Sequence, residues 1–144
     1  MTENLQLFLA PLMALEPSSI FALYVAANAS LLLLLAILTV RNRLKNGVSI
    51  GDGGQTPMIQ AIRAHGNASE YIPIGLVLLL ALTMVDAPSW VLHLHGSLLT
   101  LGRVMHALGL YHAPGRTVGR FFGINLTWIS MLIAIVGIVY YSAN

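Results

Sequence analysis

The sequence predicts an all-α integral membrane protein, a bundle of four helices that cross the bilayer in up-down-up-down order. Three observations lead there. Only 8% of the 144 residues are charged and 57% are hydrophobic, against about 25% charged in soluble domains, and the mean hydropathy is +0.80. Apolar stretches between clusters of charge are long enough for spans of roughly 20 residues. The joins between those stretches are short, which makes consecutive helices antiparallel neighbours. The length suits one domain, residues 1–144.

The first span is expected over about 18–43. Ser18 to Val40 carries no charge, Glu16-Pro17-Ser18 precedes it as a start signal, and Arg41, Arg43 and Lys45 close it. The second, about 57–86, opens at Thr56-Pro57, a cap residue followed by proline at the first helical position. Its first half is polar and its second half, IGLVLLLALTMV, is suited to lipid, so its first turns should rise above the hydrocarbon. Pro73 removes one backbone hydrogen bond within it. The third span, about 88–111, holds Arg103 and His106 in its later half, and the fourth, about 117–142, ends in the interfacial pair Tyr140-Tyr141. GDGG, Asp-Ala-Pro and His-Ala-Pro-Gly make the joins. The N-terminal MTENLQLFLAPLMALEPSS lacks the positive region of a cleaved signal peptide, so the chain is expected to be mature as written.

Basic residues orient the bundle. Arg41, Arg43, Lys45, Arg116 and Arg120 fall at the first and third joins, whereas the N-terminus and second join carry Glu3, Glu16 and Asp86. By the positive-inside rule both termini face away from the cytoplasm. The polar ends of the second and third spans then meet near the cytoplasmic face.

That end holds the chemistry. At 100° per residue, Gln60, Arg63, Asn67 and Glu70 fall within a sector of roughly 80° on the second span, with Gly66 beside them. On the third, Gly96, Thr100, Arg103 and Ala107 form a matching stripe, with His106 at its edge. Ionisable residues inside a membrane face a bundle interior or a wet cavity and mark function by default. Glu70 could neutralise Arg63 or Arg103 in a purely structural pair. One glutamate leaves a positive excess, however, and guanidinium groups in excess call for an anion such as a lipid phosphate or a small carboxylic acid.

Other functions are disfavoured. The net charge of +2 supplies no nucleic-acid footprint, and the absence of cysteine removes disulfides and any protein-borne thiol. His93 and His95 point about 200° apart on a helix, which is poor metal geometry, so no metal is expected. GDGG lacks the Lys-Ser/Thr of a phosphate loop and is expected to be a turn. Gly102, Gly109, Gly119 and Gly123 suit close helix packing.

Four short spans, GDGG before the second, AIRAHGNASEYIPI within it and GRVMHALGL within the third together resemble the MAPEG family. These are the membrane-associated proteins of eicosanoid and glutathione metabolism, which include microsomal glutathione transferases. The likeness covers about residues 18–142 and is strongest to the bacterial inner-membrane branch. It implies a homotrimer that binds glutathione as co-substrate between neighbouring subunits near the cytoplasmic face. It also implies contacts to the tripeptide from Arg63, Asn67, Glu70 and Tyr71, with Arg103 and His106 lining the same pocket and Arg41 holding a carboxylate. Arg116 and Thr117 match the arginine-hydroxyl pair near the sulfur, where a cation favours thiolate. Gly66 stands where several animal members have a further arginine, and Leu110 where some have a pocket tyrosine.

The function expected is a glutathione-dependent transferase or peroxidase acting on lipophilic electrophiles. The alternative is a non-catalytic binder of lipid or fatty acid on the same fold. A small efflux transporter coupled to protons through Glu70 would lose cation transport in Glu70→Gln, but Arg63 on the same stripe repels cationic cargo.

Overall fold

Helix ends fall where backbone chemistry directs them. In the computed structural model, which describes residues 15–144, the helices are α1 (Pro17–Asn46), α2 (Thr56–Met84), α3 (Ser89–His112) and α4 (Val118–Ser142). No strand occurs among the described residues. The expectation concerning the N-terminal segment falls largely on residues 1–14, outside them.

α1 continues a turn beyond its first arginine, with Arg43 and Lys45 in its last turn, where cations oppose the negative end of the helix dipole. Gly47, at φ 64°, closes it by donating to the Arg43 carbonyl. GDGG is a turn: Asp52 Oδ1 accepts the Gly54 N–H at 2.8 Å, and Gly51, Gly53 and Gly54 all have positive φ. The expected Thr56 cap is displaced by one residue. Gln55 is the extended residue before α2, makes no side-chain cap bond, and leaves Thr56 inside the first turn. α2 runs through Pro73. α4 is capped by Thr117, whose hydroxyl accepts the Arg120 N–H at 3.2 Å.

Among the described residues three helices, α1, α2 and α4, are long and apolar enough to cross a membrane. α3, expected as a fourth span, is not one of them. It carries His93, His95, Ser97, Thr100, Arg103 and His106, and it touches each of the other three helices. A helix enclosed by neighbours can hold polar groups because protein, not lipid, satisfies them.

Those groups tie the helices together. On the α1 side, Tyr24 Oη lies 2.7 Å from Ser97 Oγ and 3.0 Å from His93 Nδ1. Asn28 Nδ2 donates to Thr100 Oγ1 at 2.8 Å, and Asn42 Nδ2 donates to Tyr111 Oη at 3.1 Å. Thr39 Oγ1 donates to the Ala61 carbonyl of α2 at 3.2 Å. At the centre His95 is fully buried, with Nδ1 2.8 Å from the Ser130 carbonyl and Nε2 2.9 Å from the Gly75 carbonyl. One ring thus spans α2, α3 and α4. Apolar packing fills the remainder in two clusters, one around Leu79, Leu82 and Leu92, the other around Leu35, Ala64 and Ile72.

Backbone approaches backbone where α3 crosses α4. A Cβ on Gly123 would lie 2.5 Å from His106 N and 2.7 Å from the Gly102 carbonyl, and one on Gly102 would lie 2.8 Å from the Gly123 carbonyl. Main chain has little room to yield, so these glycines set the crossing distance. Gly66 differs, because a Cβ there meets nothing within 4 Å. Gly123→Ala should therefore destabilise by about 1–3 kcal/mol, the usual cost of overpacking, whereas Gly66→Ala should be neutral or slightly stabilising. Thermal unfolding in detergent checks both.

Candidate functional site

Asn67 and Tyr71 lie one turn apart on α2 and so face the same neighbour. That neighbour is Arg103 of α3, 1% exposed and held on every side. Its Nη1 donates to Asn67 Oδ1 at 2.8 Å, its Nε to Thr127 Oγ1 at 2.8 Å, and its Nη2 to the Gly123 carbonyl at 3.5 Å. The Tyr71 ring covers it, with Cζ 4.9 Å from the centroid, within the range of a cation–π contact. Thr127 Oγ1 in turn donates to the Gly123 carbonyl at 2.9 Å. All of these partners are neutral. Glu70 is not among them. It is exposed, and its Oε2 accepts from Asn67 Nδ2 at 3.5 Å. Asn67 thus stands between the two charges, with its carbonyl toward the cation and its amide toward the carboxylate.

Next to this network a cavity of about 490 Å³ opens among α2, the end of α3 and the start of α4. Gln60, Arg63, Asn67, Tyr71, His106 and Arg120 provide its polar lining; Ile59, Leu110, Pro114 and Ile124 are among its apolar walls. Two arginines and no carboxylate line it. Its volume lies within the range of small-ligand sites, roughly 300–1,000 Å³. A second cavity of about 260 Å³ adjoins across His106, Arg120 and Ile124, which line both, and adds Arg116, Thr117 and Phe121.

Arg63, Asn67, Tyr71 and His106 thus come together in the larger cavity. Arg116 and Thr117 lie in the smaller one. Arg103 sits behind the larger cavity's wall, where its contacts to Asn67 and Tyr71 orient two lining residues. Glu70 lies outside the lining. Arg41 is apart from all of these, in a third cavity with Leu38, Asn42, Lys45 and Tyr111. Thr117 has a structural task as well: besides capping α4, its hydroxyl donates to the Gly109 carbonyl at 3.3 Å. That donor is therefore already engaged.

Arg120 is the residue that reading for stripes missed as a site member. It was legible only as one of several join residues, because its place depends on close approach between α3 and α4. Gly119 is the means: a Cβ there would lie 2.8 Å from the Met105 carbonyl. With the helices that close, Arg120 lines both cavities beside His106, steadied by Nη1 donating to the Gly115 carbonyl at 2.6 Å. His65, by contrast, is half-buried outside the lining, and its carbonyl accepts Ser69 Oγ at 2.9 Å. Among the described residues no three His, Cys, Asp or Glu side chains gather as a metal site would require.

The sequence that builds this bundle has known relatives. Residues 21–140 match the profile of the MAPEG family, and the chain belongs to that family. It is 40% identical over 120 residues to inner membrane protein YecN of Escherichia coli strain K12, across 83% of this chain and 90% of the relative. The YecN protein of E. coli O6:H1 strain CFT073 shows the same identity and coverage.

Removing either neutral partner strands a buried guanidinium donor. Asn67→Leu and Thr127→Val should each destabilise by about 1–3 kcal/mol, the cost of an unsatisfied buried group. The pair should be non-additive in a double-mutant cycle followed by thermal unfolding, because both act on one guanidinium.

Proposed function

We propose that this chain is a glutathione-dependent transferase or peroxidase acting on lipophilic electrophiles, embedded in the bacterial inner membrane. In this reading all four helices cross in alternating directions, both termini face away from the cytoplasm, and the cationic end lies at the cytoplasmic face. Alternation is supported by the paired residues: Thr39 of α1 meets Ala61 of α2, Asn67 of α2 meets Arg103 of α3, and Arg103 meets Thr127 of α4. Family membership supports the link to glutathione, and the inner-membrane relative supports the location.

The observation that carries the reading is the cavity lined by Arg63 and Arg120, with Gln60, Asn67, Tyr71 and His106 and no carboxylate. Glutathione brings two carboxylates, one ammonium and the thiol that this cysteine-free chain lacks. Arg63 is placed to bind a carboxylate bidentately. Asn67 and Tyr71, positioned by Arg103, supply neutral polar contacts, and His106 sits at the wall shared by the two cavities. A cation near the sulfur favours thiolate. Arg116 and Arg120 both line the smaller cavity, which also presents Phe121 and Ile124 to an apolar partner. Transfer would form a bond from sulfur to the electrophilic carbon while the leaving group departs with its electron pair. Holding the two reactants together supplies much of the rate.

Glu70 faces outward, so it would accept the glutathione ammonium only where a neighbouring subunit encloses that face. In this reading the protein is accordingly a homotrimer with sites between subunits. Arg41 opens on a different cavity and is the family position least supported within one subunit. A second reading, a non-catalytic binder of lipid or fatty acid, is favoured by an apolar groove of about 410 Å³ between α3 and α4, lined by Trp90, Val91, Leu132, Val136 and Tyr140.

Titration calorimetry with glutathione in detergent separates the readings, and a chromogenic aryl halide assay then tests transfer. No heat and no change in melting temperature at millimolar glutathione would leave the binder. If glutathione binds, Arg63→Ala should weaken it about tenfold or more, the worth of one charged hydrogen-bonded contact. Arg116→Ala and Arg120→Ala should be compared for turnover against KM. Whichever cation stabilises thiolate should lower kcat more than it raises KM. Gly66→Arg should fold, given the open space there, and should tighten glutathione binding if its guanidinium reaches a carboxylate.

A further inference from the structure

Two arginines flank the start of α4, where cations weaken a helix. Arg116 directly precedes the capping residue Thr117, and Arg120 is the third residue of the helix. The first turn of a helix carries unpaired N–H groups and the positive end of the dipole, so it favours acidic side chains. The first turn of α4 has none. Its formation therefore leans on Thr117. The Thr117 hydroxyl accepts the Arg120 N–H at 3.2 Å and donates to the Gly109 carbonyl at 3.3 Å. A hydroxyl has one proton, and this one is committed to α3. Gly109 leaves room for both bonds: a Cβ there would lie 2.6 Å from Thr117 Oγ1 and 2.6 Å from Arg120 N. Gly119 faces it, a Cβ on Gly119 lying 3.5 Å from Gly109 Cα.

Likeness to the MAPEG family sets an arginine-hydroxyl pair beside the sulfur, yet both bonds of this hydroxyl run to backbone. We propose that Thr117 is a positioning residue, which fastens the first turn of α4 to α3 and thereby sets where Arg116 and Arg120 stand in the smaller cavity. Its hydroxyl neither gives a proton to the glutathione sulfur nor takes one from it. Its influence passes through the backbone. Arg120 is held at its amide by Thr117 and at its guanidinium by the Gly115 carbonyl, 2.6 Å from Nη1. Loss of the first hold lets the start of α4 shift, and the cation shifts with it. Arg116, exposed, takes its direction from the capping residue that follows it. The effect on catalysis rests on the transferase reading, whereas the fastening itself does not.

Full-length variants in detergent test this. Thr117→Val keeps the shape of the side chain and loses both bonds. Thr117→Asn can remake both, since its carbonyl accepts and its amide donates, yet it carries no hydroxyl. Gly109→Ala keeps the hydroxyl and crowds it. With glutathione and a chromogenic aryl halide, Thr117→Val and Gly109→Ala should lower kcat about tenfold or more, the scale of a small misplacement. They should also move the acidic limb of the pH–rate profile to higher pH, because a sulfur with less cation beside it keeps its proton longer. Thr117→Asn and Thr117→Ser should retain turnover and profile. Loss in Thr117→Asn equal to that in Thr117→Val would overturn the proposal, as would an unchanged kcat and profile in Thr117→Val. A second measurement needs no turnover: arginine labelling with phenylglyoxal, followed by peptide mass spectrometry. Arg120 should react several-fold faster in Thr117→Val and Gly109→Ala than in the parent or Thr117→Asn, and equal rates in all four would overturn the fastening. Should the parent protein turn over no glutathione, the transferase reading fails and the labelling alone decides the fastening.

Discussion

A guanidinium buried among membrane helices constrains everything around it. Placing an arginine at the centre of a lone transmembrane helix costs about 2.5–3.5 kcal/mol by insertion scales and more by other measures. Arg103 therefore requires partners, and the fold supplies them from two further helices: Asn67 and Tyr71 from α2, Thr127 and the Gly123 carbonyl from α4. None is charged. The positive charge is solvated by dipoles and an aromatic face, so it is not cancelled, and the nearby cavity inherits a cationic environment. The same contacts that satisfy Arg103 fix Asn67 and Tyr71 where the cavity needs them. Stability and site geometry here rest on one side chain.

The position of α3 follows. It is the least lipid-like helix because it carries the polar connections to all three others, at Tyr24, Asn28, His95 and Arg103. Close approach at Gly102 and Gly123 lets α4 come near enough for Thr127 to reach Arg103. The same approach, continued through Gly119, carries Arg120 to the cavity. Packing residues with no chemistry of their own thus decide which cations share a wall.

Much of this was legible in the sequence, for identifiable reasons. A scarcity of charge and long apolar runs announce membrane helices whatever their tertiary packing. The stripe of Gln60, Arg63 and Asn67 follows from helical periodicity alone, and those residues do share a cavity. Periodicity places a residue on its own helix but says nothing of the distance to another. Periodicity therefore leaves a pairing of Glu70 with Arg63 or Arg103 open, although Asn67 stands between Glu70 and Arg103, and it gives no sign of Arg120 beside His106. Asn28 was overlooked because a single amide in an apolar run has no pattern; its meaning lies in Thr100, on another helix. The separation of Arg41 from Arg63 was likewise invisible, since charge counts do not say which side of a bundle a charge faces.

His95 and Arg103 lie eight positions apart on α3, a rise of about 12 Å. Each is fastened to both α2 and α4. Two fastenings along one axis resist what a single one allows: the helix can neither roll nor seesaw against its neighbours without breaking at least one of them. The three-helix block thereby behaves as a strut. The connection between α3 and α4, where Ala113 and Pro114 form part of the cavity wall, lies outside that strut.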